Sequence, residues 1–447
     1  MEQSTAWANF LEENDKVEYV WLQFLSYTSD TLVRIIPRAK FTAMLKDGEN
    51  LSMPRCILHL LPGDRLTEGG NPAGKLLLCP DISSAYCQAG SNGTRAVINV
   101  CCVQDDGTSV AECPRSNLLG LHTMLQEKME SSLLVGFEVE VMFLKPRQEG
   151  DITVDYEPIN TQHSFSSMTP EDRTYMHLIE AVVRALSTVG IDLEQFHAEA
   201  GPGQWEFVLP PAEPVRAIDL LLRARETIMH VAQTFELRAT VYTQPFPQKA
   251  CNGAHVHISL NPKDKNKVEK IDQKAASFFA GIMRHLPAIS AFTLPTDISY
   301  ARVASGIWSG GEYVAWGWEN KEVPIRRIAK NRFEIKMVDG LSNPYLVLGA
   351  ILSAGIIGIR QKMLLTAGPC SNAPAQLSVQ EREVLGVKDR LPATLDASIA
   401  ALDADTHLQV ILGVSIVSLY ISIKRGEAEF LRAMDDDQRR LWLIARY

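Results

Sequence analysis

Residues 136–144 place two glutamates in an otherwise apolar run, and this feature most constrains the fold. The run reads GFEVEVMFL, so Glu138 and Glu140 stand two apart among valine, phenylalanine and leucine. Alternate side chains of a β-strand share a face, so both carboxylates point the same way. Two neighbouring carboxylates in a dry setting need a cation or protons to offset their charge. The simpler alternative is a solvated strand face, and the choice depends on whether other strands supply matching ligands.

Other segments supply such ligands in similar apolar surroundings. A glycine-containing turn separates Glu199 from Glu206, and a hairpin there would bring both carboxylates together. His255 and His257 alternate with apolar residues in one segment, as Glu334 does in another. Oxygen-rich ligand sets without cysteine favour Mg²⁺ or Mn²⁺ over zinc. The six candidate metal ligands are Glu138, Glu140, Glu199, Glu206, His255 and Glu334.

Composition limits the classes of partner. The chain has 447 residues, 46% of them apolar and 22% charged, and its formal net charge is -9. That length accommodates two domains, and the negative charge argues against nucleic acid or an anionic membrane as a main partner. The eight cysteines form no CxxC pair and residues 1–5 lack a signal-peptide pattern, so reduced thiols and a cytoplasmic location are predicted. The longest apolar run, 345–359, is too short for a membrane span.

The pattern of elements predicts an α+β fold in two units. Alternating strands dominate residues 1–110, whereas residues 111–447 mix strands with amphipathic helices. Two polar segments, 47–75 and 145–173, carry several Gly and Pro residues and are predicted to be loops. One long helix is predicted over 408–434. Antiparallel strands with helices gathered outside them are typical of this class.

Basic residues cluster in the C-terminal half of the chain. They are Arg302, Lys321, Arg326, Arg327, Arg332 and Lys336. Each alone could be a solvated or ion-paired surface residue. Metals held by carboxylates beside arginines are what phosphoryl transfer requires, because charge on the transferring phosphate must be spread over cations. The chain has no GxxxxGK[ST] motif, so a P-loop enzyme is not expected.

Together these motifs resemble the glutamine synthetase family over nearly the whole chain. The matching segments are 136–140 for G-x-E-x-E, 202–206 for P-G-Q-x-E, 255–259 for H-x-H-x-S, 299–302 for S-Y-x-R, 316–320 for W-G-x-x-N, 332–334 for R-x-E and 343–346 for N-P-Y-L. The resemblance implies a small β-grasp-like N-terminal domain (1–110) and a glutamine-synthetase-type catalytic domain (111–447) with a curved antiparallel sheet flanked by helices. It also implies homo-oligomeric rings, dodecamers or decamers, with active sites shared between neighbours.

The resemblance also implies a role for each site residue, with Mg²⁺ (or Mn²⁺) as the cofactor and ATP as a co-substrate. The metal near the acid substrate would be held by Glu140, Glu199 and Glu206, and the metal on ATP by Glu138, His255 and Glu334. Contacts to ATP are expected from Glu194, His257, Ser259, Arg326 and Arg332. The expected catalytic residues are Arg302, Arg326, Glu199 and Trp308. The expected substrate contacts are Arg302, Lys321, Lys336, Gly253 and Ser26.

Departures from the family pattern cluster in the acid and amine sites. Trp308 stands where the family's catalytic flap has a glutamate, and Ser26 stands where a neighbouring subunit contributes an aspartate. An aromatic ring and a hydroxyl would hold a small cation poorly but could take a larger amine, for example by cation–π contact. Lys321 and Lys336 replace arginines and keep the charge without the bidentate fork. The 250–254 loop, which grips the acid substrate in the family, is altered as well.

We therefore expect an ATP-dependent carboxylate–amine ligase of the glutamine-synthetase-like, FluG-type or γ-glutamyl-amine ligase branch. In two steps, ATP would phosphorylate the carboxylate of glutamate or a related acid, and an organic amine would displace phosphate from the acyl phosphate. Two alternatives stay open. One is an authentic glutamine synthetase that uses ammonia. The other is a non-catalytic ring-forming protein that keeps metal and ATP contacts for assembly, although a scaffold has little need for five converging acids.

Overall fold

The computed structural model describes residues 2–263 and 271–447. These residues form two main sheets, and the first lies in the N-terminal part of the chain. The strands of this part are β1 (Tyr19–Leu25), β2 (Thr31–Pro37), β3 (Leu51–Pro54), β4 (Leu60–Leu61), β5 (Arg65–Leu66), β6 (Lys75–Pro80), β7 (Tyr86–Cys87) and β8 (Arg95–Val103). Strands β4 and β5 form a separate two-stranded ribbon, and the other six form the sheet. The order is β2-β1-β8-β6-β3, with β7 also paired to β8. The β1–β8 pair is parallel and the other pairs are antiparallel.

The second sheet has nine strands and is built around one of 19 residues. Its strands are β9 (Ser131–Glu149), β10 (Ile152–Pro158), β11 (Gln195–Ala198), β12 (Gln204–Val208), β13 (Arg238–Thr240), β14 (Val256–Pro262), β15 (Trp316–Trp318), β16 (Ile325–Ala329) and β17 (Arg332–Ile335). The order is β11-β12-β9-β14-β17-β16-β15, and β10 and β13 also pair with β9. Apart from the parallel β15–β16 pair, the pairs are antiparallel. The α+β class and the curled, mostly antiparallel sheet flanked by helices are confirmed.

Helices flank both sheets, and the first two along the chain lie beside the N-terminal sheet. They are α1 (Glu2–Glu13), α2 (Arg38–Asp47), α3 (Pro114–Met129), α4 (Pro170–Thr174), α5 (Met176–Thr188), α6 (Pro214–Thr234), α7 (Ile271–Thr293), α8 (Pro344–Gln361), α9 (Val379–Val384), α10 (Leu395–Ala404), α11 (Thr406–Leu412), α12 (Val414–Arg432) and α13 (Asp436–Arg446). Capping residues fix several of their starts, as where the Asn343 side chain accepts hydrogen bonds from the first turn of α8.

The apolar helix α8 belongs to the core. It is long and apolar enough to cross a membrane, but 83% of its residues are buried inside the protein, which is typical of a core helix. Its backbone lies directly against α7, because a Cβ atom on Gly358 would come 2.0 Å from the Ser277 carbonyl oxygen. Glycine therefore permits an approach that no other residue would allow there.

Three predictions of local structure were wrong. The 145–173 segment is not one loop, because β9 continues to Glu149 and forms a hairpin with β10, and α4 follows. The 47–75 segment contains the short strand β3 and the β4–β5 ribbon. The helix predicted over 408–434 is broken by a 109° bend at Gly413, whose φ of 112° is incompatible with a continuous helix.

Ser26 belongs to a loop that packs on the C-terminal part of the same chain. Its hydroxyl bonds with Thr28 and Asp30, and its carbonyl accepts a 2.8 Å hydrogen bond from Asn343. The Tyr447 hydroxyl donates to the Thr28 carbonyl. These contacts anchor the loop on its own chain. A role for Ser26 in a neighbouring subunit's site, the β-grasp-like description and the boundary near 110 all stay predictions.

Candidate active site

Strand register brings the acidic residues face to face. Glu140 on β9 stands directly opposite Glu206 on β12. On the other side of β9, His257 on β14 stands opposite Glu334 on β17. Like charges directly opposite each other across a strand pair are destabilising, so Glu140 and Glu206 need compensation from elsewhere.

His255, which immediately precedes β14, lies at the centre of the acidic group. Its Nδ1 lies 2.8 Å from Glu138 Oε2 and 3.5 Å from both Glu140 Oε1 and Glu334 Oε1. Burial and the nearby Lys336 ammonium act to lower the pKa of His255, but the two β9 carboxylates outweigh them and raise it. The predicted ligands Glu138, His255 and Glu334 are therefore brought together, with Glu140 beside them.

Glu138 accepts hydrogen bonds from two histidines. The distances are 2.8 Å to His255 Nδ1 and 2.8 Å to His257 Nε2. Burial acts to raise the pKa of Glu138, but these two bonds outweigh it and hold the pKa well below its usual value. The carboxylate is thus charged at neutral pH and available as a cation ligand.

Two basic side chains compensate the charge of the Glu334 carboxylate. Lys336 Nζ donates to Oε1 at 2.8 Å, and an Arg326 guanidinium nitrogen donates to Oε2 at 2.9 Å. Burial acts to raise the pKa of Glu334, but the Lys336 ammonium and His255 outweigh it and lower the pKa to about 2. Lys336, which was predicted to contact substrate, here pairs with a predicted metal ligand.

A second acidic group forms at the β11–β12 hairpin. Glu199 and Glu206 come together there, as predicted, and His197 lies within ligand distance of both. His197 Nε2 lies 3.3 Å from Glu206, and that bond raises the pKa of His197 to about 9. Burial, followed by the charges of Glu140 and Glu206, raises the pKa of Glu199 to about 7. His197 was not predicted, although it shares a strand face with Glu199 by its spacing of two.

Glu140 is fixed by hydrogen bonds from two neighbours. The Gln204 side chain donates at 2.8 Å and the Gly253 backbone N–H at 2.7 Å, both to Oε2. A Cβ atom on Gly253 would lie 2.8 Å from Glu140 Oε1 and 2.7 Å from His255 Nε2, so a larger residue would displace these side chains. Gln204 was not predicted to belong to the site.

The donor set fits divalent cations that prefer oxygen ligands. Three groups of side chains have ligand atoms within 4.8 Å of one another: Glu138, His257 and Glu334; Glu138, Glu206 and His255; and His197, Glu199 and Glu206. Carboxylates predominate, imidazole is a minor component and cysteine does not take part, which suits Mg²⁺ or Mn²⁺. Burial, followed by the charges of neighbouring carboxylates, raises the pKa values of Glu199 and Glu206, and a bound cation there would lower them.

A cavity of about 550 Å³ opens beside the first acidic group. It is lined by all five residues predicted to contact ATP, namely Glu194, His257, Ser259, Arg326 and Arg332, together with Glu138. Its volume lies within the range of small-molecule and cofactor sites. Arginine and histidine donors at its wall are suited to an anionic ligand.

Arg302 is buried at the floor of the site, at the end of a 3-10 turn over Asp297–Arg302. Its guanidinium donates to the carbonyls of Asn252 at 2.7 Å and Lys336 at 2.9 Å, and lies 3.3 Å from His255 Nε2. Its Nε has no hydrogen-bond partner among the described residues. Contact between Arg302 and a substrate carboxylate stays a prediction.

Trp308 and Phe165 form an exposed aromatic pair next to the second acidic group. Their ring centroids are 6.2 Å apart in an edge-to-face arrangement, and the Phe165 ring lies 5.5 Å from His197. Lys321 Nζ lies 4.4 Å from the centre of the Phe165 ring and 5.3 Å from that of Trp308. Lys321 and Trp308 were predicted to belong to the site. Phe165 lies in a segment for which no function was predicted.

Comparison with known proteins identifies related sequences and structures. The family model "Glutamine synthetase, catalytic domain" matches residues 111–442. The protein FluG of Emericella nidulans is 40% identical over 98% of this chain, and the chain spans about half (50%) of FluG's length. The γ-glutamylpolyamine synthetase GlnA3 of Streptomyces coelicolor is 28% identical over 94% of this chain and 92% of its own.

Solved structures share the fold. A GmaS/ADP complex matches with a TM-score of 0.79 and 21% identity, over 98% of this chain and 99% of that one. A glutamine synthase homolog matches with the same TM-score and 25% identity, over 96% and 99% of the two chains.

Proposed function

The chain belongs to the glutamine synthetase family, and from that premise we propose that it γ-glutamylates an organic amine at the expense of ATP. Ligases of this family form C–N bonds with ATP as the energy source. The observation that carries the choice of an organic amine is the exposed Trp308–Phe165 pair beside His197 and Glu199. Aromatic rings favour an apolar acceptor over ammonia.

The proposed reaction has two steps. The carboxylate of the acid substrate attacks the γ-phosphorus of ATP, giving an acyl phosphate and ADP. The amine nitrogen then attacks the acyl carbon, the bond to the phosphate oxygen breaks, and the nitrogen loses one proton. The 550 Å³ cavity with Arg326 and Arg332 on its wall would bind the nucleotide. Arg302, whose guanidinium is held by the Asn252 and Lys336 carbonyls, would orient the acid.

The acidic groups would hold two divalent cations. Glu138, His255 and Glu334 would bind one, and Glu199, Glu206 and Glu140 the other, with His197 beside the second set. Such ions would neutralise negative charge on the transferring phosphoryl group. The buried positions of Glu140, Glu206 and Glu334 keep their carboxylates away from bulk water.

An amine panel tests the proposal. ADP release would be measured with ATP, glutamate and Mg²⁺, with several organic amines and ammonia as separate acceptors. We expect at least one organic amine to exceed ammonia in kcat/KM. Ammonia being the best nucleophile by a wide margin would instead identify a glutamine synthetase. Glu334→Ala should abolish turnover. If this variant still supported the protein's function in cells, that result would indicate a non-catalytic scaffold.

Assembly into rings is part of the same proposal. Within the described part of the chain, the outer strand β2 pairs on one side only, and Ile35 on it is 53% exposed, which suits a contact with another subunit. Light scattering coupled to size exclusion would measure the mass. A monomer at micromolar concentration would contradict the proposed assembly.

A further inference from the structure

The aromatic pair of Phe165 and Trp308 contacts the ammonium group of Lys321. Lys321 Nζ lies 4.4 Å from the Phe165 centroid and 5.3 Å from the Trp308 centroid, and both distances are within cation–π range. Among residues 2–263 and 271–447, Nζ makes no hydrogen bond or salt bridge. The two rings are therefore the contacts that hold this ammonium group.

Each ring is carried on a loop that is fixed by polar contacts. Trp308 has a φ of 59°, unusual for a bulky residue, and its N–H donates to Glu322 at 2.9 Å. Two residues before Phe165, the buried His163 bonds to Asp172 at 2.7 Å. Side chains on loops fixed in this way are preorganised, which is typical of binding sites.

Lys321 is fixed by its neighbours along the chain. The Asn320 side chain donates to the carbonyls of Cys370 at 2.9 Å and Asn372 at 3.1 Å, and accepts from the Glu322 N–H at 2.9 Å. The Glu322 carboxylate in turn accepts the N–H groups of Trp308 and Gly306. That carboxylate therefore holds the Trp308 loop.

The rings lie beside the second acidic group. The Phe165 ring lies 5.5 Å from the His197 ring, and His197 is part of the group with Glu199 and Glu206. A molecule stacked on Phe165 or Trp308 would thus reach toward those carboxylates. Both residues are partly open to solvent, since Trp308 is 53% and Phe165 42% exposed.

A resident ammonium changes which amines this surface accepts. A second cation would be repelled by Lys321 and would have to displace it from the rings. An amine that is already neutral avoids this repulsion and needs no base to expose its lone pair. A flat ring would also gain edge-to-face or stacked contacts with the exposed aromatic faces.

We propose that Phe165, Trp308 and Lys321 form the acceptor subsite and select an aromatic amine, uncharged at neutral pH, over an alkylammonium. This inference rests on the proposed function. The arylamine nitrogen attacks the acyl phosphate carbon, the C–N bond forms as the C–O bond to phosphate breaks, inorganic phosphate leaves, and the nitrogen releases one proton to solvent. Lys321 takes no part in bond making and acts on specificity.

Aniline and benzylamine give a matched test, since both carry a phenyl ring and only benzylamine is cationic at neutral pH. With ATP, glutamate and Mg²⁺, we expect aniline to exceed benzylamine in kcat/KM by about tenfold or more. Lys321→Met should lower the aniline-to-benzylamine ratio of kcat/KM by about tenfold, mainly through a lower KM for benzylamine. Lys321→Arg keeps the charge and should keep the ratio.

Hydroxylamine serves as a small neutral acceptor that reports acyl phosphate formation in every variant. The inference would be overturned if the natural protein turned over benzylamine as efficiently as aniline, or if Lys321→Met left the aniline-to-benzylamine ratio of kcat/KM unchanged. Either result would leave γ-glutamylation of organic amines standing. Hydroxamate formation with no turnover of either ring amine would also overturn it. Ammonia exceeding every organic amine would instead remove the proposed function, and the inference with it.

Discussion

The backbone N–H of Gly253 donates a 2.7 Å hydrogen bond to Oε2 of Glu140, and the space for a side chain at that glycine is already filled. Gly253→Ala would place a methyl group 2.7 Å from His255 Nε2 and 2.8 Å from Glu140 Oε1. Both side chains would have to move. We expect the affinity for Mn²⁺, measured by titration calorimetry, to fall about ten- to a hundredfold.

Gly120→Ala is the matched control for that variant. Gly120 lies inside α3, and nothing is within 4 Å of its Cβ position. Because alanine has the higher helix propensity, this variant should keep full Mn²⁺ affinity and its stability should not fall. Equal affinities for Gly253→Ala and the natural protein would show that Glu140 does not take part in cation binding.

Lys336 compensates the charge of a buried carboxylate. Its Nζ lies 2.8 Å from Glu334, and both side chains are at most 5% exposed. Lys336→Met should lower the free energy of unfolding of the metal-free protein by about 2–3 kcal/mol, since Arg326 remains as the other partner of Glu334. Added Mg²⁺ should recover much of this loss, because a bound cation supplies the missing positive charge.

Urea unfolding with EDTA and with Mg²⁺ measures the effect of Lys336→Met. Lys330→Met removes an exposed pair with Asp272 and should change stability by less than about 0.5 kcal/mol in either buffer. A loss for Lys336→Met that Mg²⁺ does not reduce would indicate a purely structural ion pair.

Local alternation in the sequence was enough to find the acidic strands. Glu138 and Glu140 stand two apart in an apolar run, and the strand predicted from that spacing is the centre of the second sheet. The spacing of Glu199 and Glu206 around a turn also predicted their hairpin. Such patterns work because the side-chain period of a strand is fixed by its geometry.

Contacts between distant segments could not be predicted in this way. Phe165 reaches Lys321 and Trp308 only because the fold brings separate loops together, and no periodicity marks it. The strand extension to Glu149 was missed because Pro146 and Gly150 suggested a loop, yet proline is tolerated where a strand has an edge. The helix break at Gly413 depends on one backbone angle, which the spacing of apolar residues in the sequence does not reveal.

Arg332 tests the nucleotide cavity separately from the metal ligands. It lines the cavity, is exposed, and approaches His257 Nδ1 at 3.3 Å. Arg332→Ala should raise the Kd for ADP about ten- to a hundredfold by removing a charge-assisted hydrogen bond. Calorimetric Mn²⁺ affinity without nucleotide should be unchanged. Arg184→Ala, on the exposed side of α5, should leave both quantities unchanged, and similar ADP affinities for the two variants would contradict the assignment.

His163 connects the loop of Phe165 to the sheet. Its Nδ1 lies 2.7 Å from Asp172 and its Nε2 bonds to the Gln204 carbonyl, with the side chains of His163 and Asp172 at most 1% exposed. His163→Leu leaves the buried Asp172 with only its neutral partners, Thr169 and Asn160. We expect the free energy of unfolding to fall by about 2–4 kcal/mol.

The same variant should also raise the KM for the acceptor amine, because Phe165 lies two residues from the lost anchor. His177→Leu, at an exposed position of α5, is the control and should stay within about 0.5 kcal/mol of the natural protein with its KM unchanged. Urea unfolding and ADP-release kinetics measure the two effects. A stability loss without any change in acceptor KM would show that this loop supports the fold alone and does not position Phe165 for the acceptor.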